Sequence, residues 1–317
     1  MKFKKIIAYN IDRTKNLDFQ SWKKIEILGN KLTFVPKDYP KLRKELADTD
    51  CLLVAFGTNI VKEDIDSAPQ LKYIGVLATA FGKIDVLHAK KKKVVVSNLK
   101  GYSTESVAEF VIAAILEHIR GLEEGKRRGK SGNYSEVGIT ATEIKDKIFG
   151  VVGLGTIGQR VAEIAFGFGA DVRYWSKNRK NNFEKRGVRY ETFENLTSKA
   201  DIISINLAQT KDTEKIFNKK VFQKVKSGAI IINTAPMELV DISGLEQRLK
   251  NKDITFILDH SDEMVKEDIE KLSKYKNCII YPPIAYVSKE ASGNRKRIFI
   301  RNIEAFLKGK PENIVSP

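Results

Sequence analysis

Three closely spaced glycines are the residues of this 317-residue chain whose chemistry is easiest to predict. Gly153, Gly155 and Gly158 form the G-x-G-x-x-G pattern, which binds the pyrophosphate of a dinucleotide. The first glycine permits a tight turn, the second lets the backbone approach the phosphates, and the third lets a helix pack on a strand. The helix that follows would direct free N–H groups at the phosphates, so Thr156 and Ile157 are further candidate cofactor contacts.

The residues around the glycines support this interpretation. An apolar run, residues 148–152, precedes the first glycine and is typical of a buried strand. Apolar residues at helical spacing follow the last glycine, from Val161 through Ile164 and Ala165 to Phe168. The alternative is an ordinary strand-to-helix turn of an α/β sheet that binds no cofactor.

The end of the next predicted strand bears on which nicotinamide cofactor would bind. An acidic residue usually holds the ribose hydroxyls at this point. Here the strand ends in Ser176, Lys177 and Arg179, and no carboxylate follows until Glu184. A hydroxyl and cations suit a 2′-phosphate, so the sequence predicts NADP in preference to NAD. A basic surface turn is the alternative.

Strands that alternate with helices along the chain must position these residues, and they predict parallel, helix-covered sheets. A long amphipathic helix is predicted over residues 104–120, and a final helix over about 288–307 could return to the N-terminal part. Residues 10–50 give no clear pattern. Besides the strand before Gly153, strands are predicted at residues 4–9, 51–56, 73–77, 94–96, 171–175, 201–206, 229–233, 254–258 and 278–281.

Composition places the chain among globular proteins, with 42% hydrophobic and 30% charged residues. No run is long enough to span a bilayer and no signal peptide is evident, so a cytoplasmic location is expected. The two cysteines indicate burial, and neither a disulfide framework nor a metal site is expected. The net charge of +16 comes from scattered lysines without an aromatic-interleaved basic motif, which favours a solvated surface over nucleic-acid binding.

Several segments of the chain resemble the D-isomer-specific 2-hydroxyacid dehydrogenases, close to the glyoxylate and hydroxypyruvate reductases. The resemblance implies two doubly wound parallel-sheet (Rossmann-like) α/β domains with an interdomain cleft. It assigns residues 1–100 and 288–317 to a flavodoxin-like substrate domain and 101–287 to the dinucleotide-binding domain. It also implies a homodimer and a small, anionic substrate. The segments that match are residues 101–109, 153–158, 232–235, 239–241, 258–259, 284–285 and 290–291.

The same resemblance names cofactor contacts in addition to the glycine turn. They are Val107, Thr234, Ala235 and Asp259, of which Asp259 would meet the nicotinamide carboxamide. These residues all persist in this chain. The cofactor-binding half of the family's site is therefore predicted to be intact.

The catalytic half of the family's site is replaced. The family reduces 2-keto acids with an arginine that holds the substrate carboxylate, a histidine that donates a proton, and a glutamate that orients the histidine. The matching positions here are Pro236, Pro283 and Met264. Asp262 and Glu263 lie just before this position, and a shift of one residue would bring Glu263 to it.

Two hypotheses remain open from the sequence. The first is an NAD(P)-dependent oxidoreductase with a rebuilt site and a non-standard substrate. The second is a non-catalytic protein that binds a dinucleotide and regulates or scaffolds a partner. Under the first, Tyr or Lys with a lowered pKa could replace the lost proton donor, although each candidate could equally serve packing or be solvated. The candidate replacement groups are Lys83, His260, Asp262, Glu263, Tyr281 and Tyr286.

Overall fold

The computed structural model describes residues 2–81, 83–261 and 264–315. The chain divides into two compact units. The first comprises Met1–Ser103 and Lys289–Pro317, and the second comprises Thr104–Ser288. The sequence placed the boundaries at 100/101 and 287/288, and the function of each part stays a prediction.

Over the described residues, the first unit is built on a five-stranded sheet whose paired strands are parallel. Its strand order is β2-β1-β3-β4-β5, so the order reverses between β1 and β3, as in flavodoxin-like folds. The strands are β1 (Ile6–Tyr9), β2 (Leu32–Val35), β3 (Cys51–Val54), β4 (Tyr73–Val76) and β5 (Val95–Ser97).

Helices cover both faces of this sheet, and this explains why its central strands are continuously apolar. Along β1, Ile7 belongs to one core cluster while Ile6 and Ala8 belong to another. The second of these clusters also contains Phe299 and Ile303 from the C-terminal helix. The helices of the unit are α1 (Phe19–Glu26), α2 (Leu42–Leu46), α3 (Lys62–Asp66), α4 (Val86–Lys91) and α13 (Lys289–Leu307).

The second unit holds a seven-stranded sheet in the part of the chain that the structure describes, again with parallel pairs. Its order is β12-β11-β10-β9-β6-β7-β8, which is the Rossmann order with one added strand. The order reverses between β6 and β9. The strands are β6 (Ile148–Val152), β7 (Asp171–Trp175), β8 (Arg189–Tyr190), β9 (Ile202–Ile205), β10 (Ala229–Asn233), β11 (Ile254–Leu258) and β12 (Cys278–Ile280).

Two large apolar clusters lie on the second unit's sheet, and the helices contribute to both. One cluster joins α5 and α7 to β6, so the helix after the glycines is fixed by packing along its length. The helices are α5 (Thr104–Ile119), α6 (Leu122–Lys130), α7 (Thr156–Gly167), α8 (Asn181–Glu184), α9 (Phe193–Lys199), α10 (Lys219–Lys224), α11 (Ile242–Asn251) and α12 (Lys266–Leu272), with a short 3₁₀ helix at Met237–Leu239.

The predicted fold class is confirmed, since each unit is a parallel, Rossmann-like α/β sheet. The region left unassigned, residues 10–50, contains α1, β2 and α2. Helix α1 is only eight residues long. Asp18 is its N-cap, and the Asp18 carboxylate accepts from the Ser21 N–H. No helix among the described residues has the length and apolarity that a membrane crossing requires.

Candidate dinucleotide-binding and active site

The glycine turn lies at the carboxyl end of β6, where the strand order of the second unit reverses. Gly153 has φ +96°, a conformation that L side chains rarely adopt, and its N–H donates to the Trp175 carbonyl at 2.8 Å. A Cβ on Gly153 would lie 2.6 Å from the Asn206 carbonyl oxygen after β9. A Cβ on Gly158 would lie 2.0 Å from the Gly153 carbonyl oxygen. Only glycine therefore fits at the first and third positions, because backbone carbonyl oxygens lie too close to leave room for a Cβ.

Gly155 differs, because a Cβ built on it meets no atom within 4 Å. It precedes α7 as the N-cap, where no side chain caps the helix, and Thr156 and Ile157 begin the first turn. The turn thus presents open space next to a 12-residue helix N-terminus. This geometry fits the pyrophosphate of a dinucleotide, which would accept hydrogen bonds from the first-turn N–H groups.

The segment after β7 carries the residues predicted to contact a 2′-phosphate. The Ser176 hydroxyl is buried and donates to the Asn178 carbonyl at 2.6 Å, so it closes its own turn. The Lys177 side chain is 85% exposed and its ammonium lies 3.6 Å from an Asp212 carboxylate oxygen. Lys177 is thus available to a ligand at the cost of a weak, solvated ion pair.

Arg179 is held in place by two neighbours. Its guanidinium pairs with Glu184 of α8 and lies 4.9 Å from the centre of the Tyr190 ring. Hydrogen bonds from Arg179 and from the Tyr174 hydroxyl lower the pKa of Glu184. Sequence analysis missed this pairing, although a Glu five residues after the Arg on a short helix was a usable signal.

The segment after β10 contains Thr234, Ala235 and Pro236, the residue predicted to stand at the family's arginine position. The buried Asn233 side chain organises it, since its Oδ1 accepts from the Ala235 N–H at 3.1 Å and its Nδ2 lies 3.2 Å from Met237 Sδ. Pro236 is half-buried and immediately precedes the 3₁₀ helix. Its ring is rigid and uncharged, so it cannot bind a carboxylate as a cation would.

Asp259, at the end of β11, fixes the second proline-containing segment. Its Oδ1 accepts from the backbone N–H groups of Ile284 at 2.9 Å and Ala285 at 3.0 Å. The Ala285 carbonyl in turn accepts from the Ser106 hydroxyl at 2.8 Å, next to the buried Val107 of α5. The carboxylate predicted to meet a cofactor therefore also holds the turn that contains Pro283.

Tyr281 is the replacement candidate whose surroundings are best defined. Its hydroxyl donates to a Glu117 carboxylate oxygen at 2.9 Å, and its ring packs edge-on against Phe110 at 5.3 Å. Burial and the adjacent Glu117 carboxylate raise the pKa of Tyr281 to about 12. That is the opposite of the shift needed by a proton donor near neutral pH, so the geometry favours packing.

The other candidates belong partly to the second unit and partly to the first. Met264 is half-buried and packs against the apolar cluster that contains Leu258, which leaves it no role in proton transfer. His260 is half-buried beside Asp259, and Tyr286 is exposed at 37%. Lys83 belongs to the first unit, where it lines a cavity.

Two candidates remain untested: Asp262 and Glu263 lie outside the described residues. Within the ranges that the structure describes, no group of three or more His, Cys, Asp and Glu side chains could hold a metal ion.

The second unit brings together the glycine turn, the Asn233 segment and the Asp259 turn, because β6, β10 and β11 are parallel and end at one edge of the sheet.

Comparison with known proteins identifies the class to which this fold and site belong. Residues 112–285 match the family described as "D-isomer specific 2-hydroxyacid dehydrogenase, NAD binding domain". The chain is 33% identical over 293 residues to a glyoxylate reductase of Thermococcus litoralis, covering 89% of this chain and 88% of the relative. It is 31% identical to a hydroxypyruvate reductase of Blautia hydrogenotrophica, covering 93% and 94%.

Solved structures agree with this result. An acyclic imino acid reductase in complex with NADPH and D-Arg is 30% identical with a TM-score of 0.86, covering 98% of this chain and 100% of that one. A D-lactate dehydrogenase of Aquifex aeolicus, complexed with NAD and lactic acid, is 25% identical with a TM-score of 0.85, covering 98% and 99%. The chain belongs to the D-isomer-specific 2-hydroxyacid dehydrogenase family, a family of NAD(P)-binding oxidoreductases.

Proposed function

We propose that this chain is an NADPH-dependent reductase that acts on the carbon–nitrogen double bond of a 2-imino acid. The observation that carries the proposal is the pair of prolines, Pro236 and Pro283, at the positions of the family's arginine and histidine. A proline side chain neither donates a proton nor binds a carboxylate. The dinucleotide turn beside them retains the geometry that the cofactor needs.

The loss of a proton donor distinguishes the two possible reactions. Reduction of a 2-keto acid converts the carbonyl oxygen to an alkoxide, which needs a proton from a positioned acid. A protonated imine already carries its proton on nitrogen. When the carbon is reduced, the electron pair of the broken bond moves to that nitrogen and leaves a neutral amine. The imine therefore needs no general acid at this step.

The chain's own residues would then bind and orient the reactants. The α7 N-terminus and the open face of Gly155 would hold the pyrophosphate, and Asp259 would fix the turn that contains Pro283 near the nicotinamide. When bound, the dinucleotide supplies the hydride. The half-buried Pro236 and Pro283 would exclude water from the reacting bond, which slows hydrolysis of the imine.

The names of the relatives indicate that they act on different substrates. The imino acid reductase is similar over nearly the whole chain and was captured with NADPH and D-Arg. Relatives named glyoxylate reductase favour 2-keto acid reduction as a second candidate function. The two prolines argue against that candidate. The enzymatic names of these relatives favour catalysis over the binding-only hypothesis.

Preference for NADP over NAD belongs to the same proposal. Lys177 and Arg179 offer two cations at the end of β7, where a 2′-phosphate would lie. Their present partners, Asp212 and Glu184, are carboxylates that the phosphate could replace. We also keep as predictions a homodimer, a cytoplasmic location and a small anionic substrate.

The reaction is tested by supplying NADPH and pyruvate in alkaline buffer, with and without ammonium, and separating the products by chiral chromatography. We expect NADPH oxidation and amino-acid formation only when ammonium is present. The matched control is the double variant Pro236→Arg with Pro283→His, which should not gain more than about tenfold in keto-acid reduction if the pocket suits an imine. Rapid oxidation of NADPH by pyruvate or glyoxylate alone would contradict the proposal.

A further inference from the structure

The first unit contains a cavity of about 440 Å³ that the proposed reaction does not use. It lies where β1, β2 and β3 end, because Asn10 directly follows β1, Lys37 and Asp38 follow β2, and Thr58 follows β3. These three strands are adjacent and in parallel register, with Tyr9 opposite both Val35 and Val54. The cavity thus occupies the point at which the strand order reverses, where α/β sheets bind ligands.

Three residues that line the cavity adopt left-handed backbone conformations. They are Asn10, Asp38 and Gly57, with φ of 55°, 58° and 72°. Asn10 is fixed there by its N–H, which donates to the Val35 carbonyl at 2.9 Å, and by its side-chain amide, which donates to the Thr58 hydroxyl at 3.0 Å. Left-handed conformations of non-glycine residues such as Asn10 and Asp38 are uncommon and cluster at ligand sites.

The charges that line the cavity define the chemistry of its ligand. Lys37 and Lys83 both line it, and neither ammonium forms an ion pair with a residue in the described ranges. The Lys83 segment is anchored, since its carbonyl accepts from the Ile60 N–H at 2.9 Å. Two unpaired ammonium groups favour an oxyanion, which accepts hydrogen bonds from both.

Asp38 restricts the choice among oxyanions. Its carboxylate also lines the cavity and can only accept hydrogen bonds when ionised. A fully deprotonated oxyanion such as sulfate would be repelled by it. Hydrogen phosphate or a phosphate monoester with one P–OH can donate a hydrogen bond to Asp38 while its other oxygens accept from Lys37 and Lys83.

We propose that this cavity of the first unit is a binding site for a protonated phosphate group, either inorganic phosphate or a phosphate monoester. Its lining residues all belong to the first unit, whereas the glycine turn belongs to the second. It does not depend on the reaction proposed above. Asn10 and Thr58 would supply the remaining polar contacts.

Isothermal titration of the full chain with inorganic phosphate and with sulfate, at low ionic strength in chloride, tests the proposal. We expect phosphate to bind more tightly than sulfate. Lys37→Met with Lys83→Met should weaken phosphate binding by about tenfold or more, and Asp38→Asn should allow sulfate to bind as well as phosphate. The matched control is Lys90→Met on α4, outside the cavity, which should change neither.

The glycine turn could also take phosphate, so the conclusion depends on the differences between variants. Circular dichroism and thermal unfolding of each variant establish that it is folded. Equal affinities for phosphate and sulfate in the original chain would overturn the proposal. So would cavity variants that bind phosphate like Lys90→Met, or no phosphate binding at all. None of these results would affect the test of imine reduction.

Discussion

Met264 stands where the family resemblance predicts a glutamate. Its side chain is half-buried and packs against the apolar cluster that contains Leu258 of β11. A carboxylate at 264 would lose part of its hydration in these surroundings. We therefore expect that a glutamate introduced at this position alone would cost stability and would not create a proton relay.

We predict that Met264→Glu lowers the free energy of unfolding by about 1–3 kcal/mol, because it partly buries an unpaired carboxylate. Met264→Leu, which keeps the volume and polarity of the side chain, should cost less than about 1.5 kcal/mol. Urea unfolding of both variants measures the difference. Equal stability of the two variants would mean that residue 264 faces solvent or a cation.

The proposed preference for NADP over NAD depends most on Arg179. We predict that Arg179→Ala weakens NADPH binding by about tenfold or more and leaves NADH binding unchanged, because only NADPH carries the 2′-phosphate. The matched control is Arg186→Ala, which removes another exposed arginine that pairs with a glutamate and lies over an aromatic ring. Titration followed by tryptophan fluorescence gives both affinities. A parallel loss for NADH would show that Arg179 does not sense the phosphate.

At the scale of elements, the strand-turn-helix around Gly153 combines two kinds of glycine. Gly153 and Gly158 are required by contacts inside the protein, whereas Gly155 faces open space with φ −79°, which other residues adopt readily. The structural and ligand-binding roles of the turn can therefore be separated by substituting one glycine at a time.

We predict that Gly158→Ala destabilises the fold by about 3 kcal/mol, because its Cβ would overlap the Gly153 carbonyl oxygen. Gly155→Ala should change the free energy of unfolding by less than about 1 kcal/mol but abolish the thermal stabilisation given by NADPH. Differential scanning fluorimetry with and without NADPH measures both effects. If Gly155→Ala retained full stabilisation, the pyrophosphate would not lie over that residue.

The sequence predicts those elements whose signal is local. The apolar runs of β10 and β11 and the glycine turn are each visible within one short segment. In contrast, α1 and the two-residue β8 are too short to show a period, and only tertiary packing defines them. The same holds for the site: the cofactor turn is local, but the Asp259 hydrogen bonds join residues 25 and 26 positions apart.

At the scale of the whole molecule, ion pairs with the abundant basic residues keep many carboxylates ionised. A hydrogen bond from Lys296 and the Ser21 N–H lower the pKa of Asp18 from 3.8 to about 2. Lys92 and His88 lower the pKa of Asp66, and Arg127 and Arg128 lower that of Glu124, in each case to about 2. Protonation of these groups at low pH also adds to the net positive charge.

We predict that the protein unfolds readily in acid. A carboxylate with a depressed pKa in the folded state contributes stability above its ordinary pKa, and this contribution is lost as the pH falls from about 4.5 towards 2. The urea midpoint should therefore fall steeply over that range. Asp18→Asn removes the partner of Lys296 and should reduce the dependence of the urea midpoint on pH. Asp146 forms no ion pair with the described residues, so Asp146→Asn should leave that dependence unchanged. A midpoint independent of pH below 4.5 would contradict this account.

Helix α13 makes the order of synthesis matter for this chain. It supplies Phe299, Ile300 and Ile303 to the core beside Trp22, and its buried Asn302 donates to the Asn98 carbonyl at 2.8 Å. While the ribosome is still translating, the nascent N-terminal sheet lacks these residues, whereas the 104–288 segment is already contiguous. The middle of the polypeptide can thus complete its structure first, whereas the core of the N-terminal hundred residues is finished only after the last helix has been synthesised.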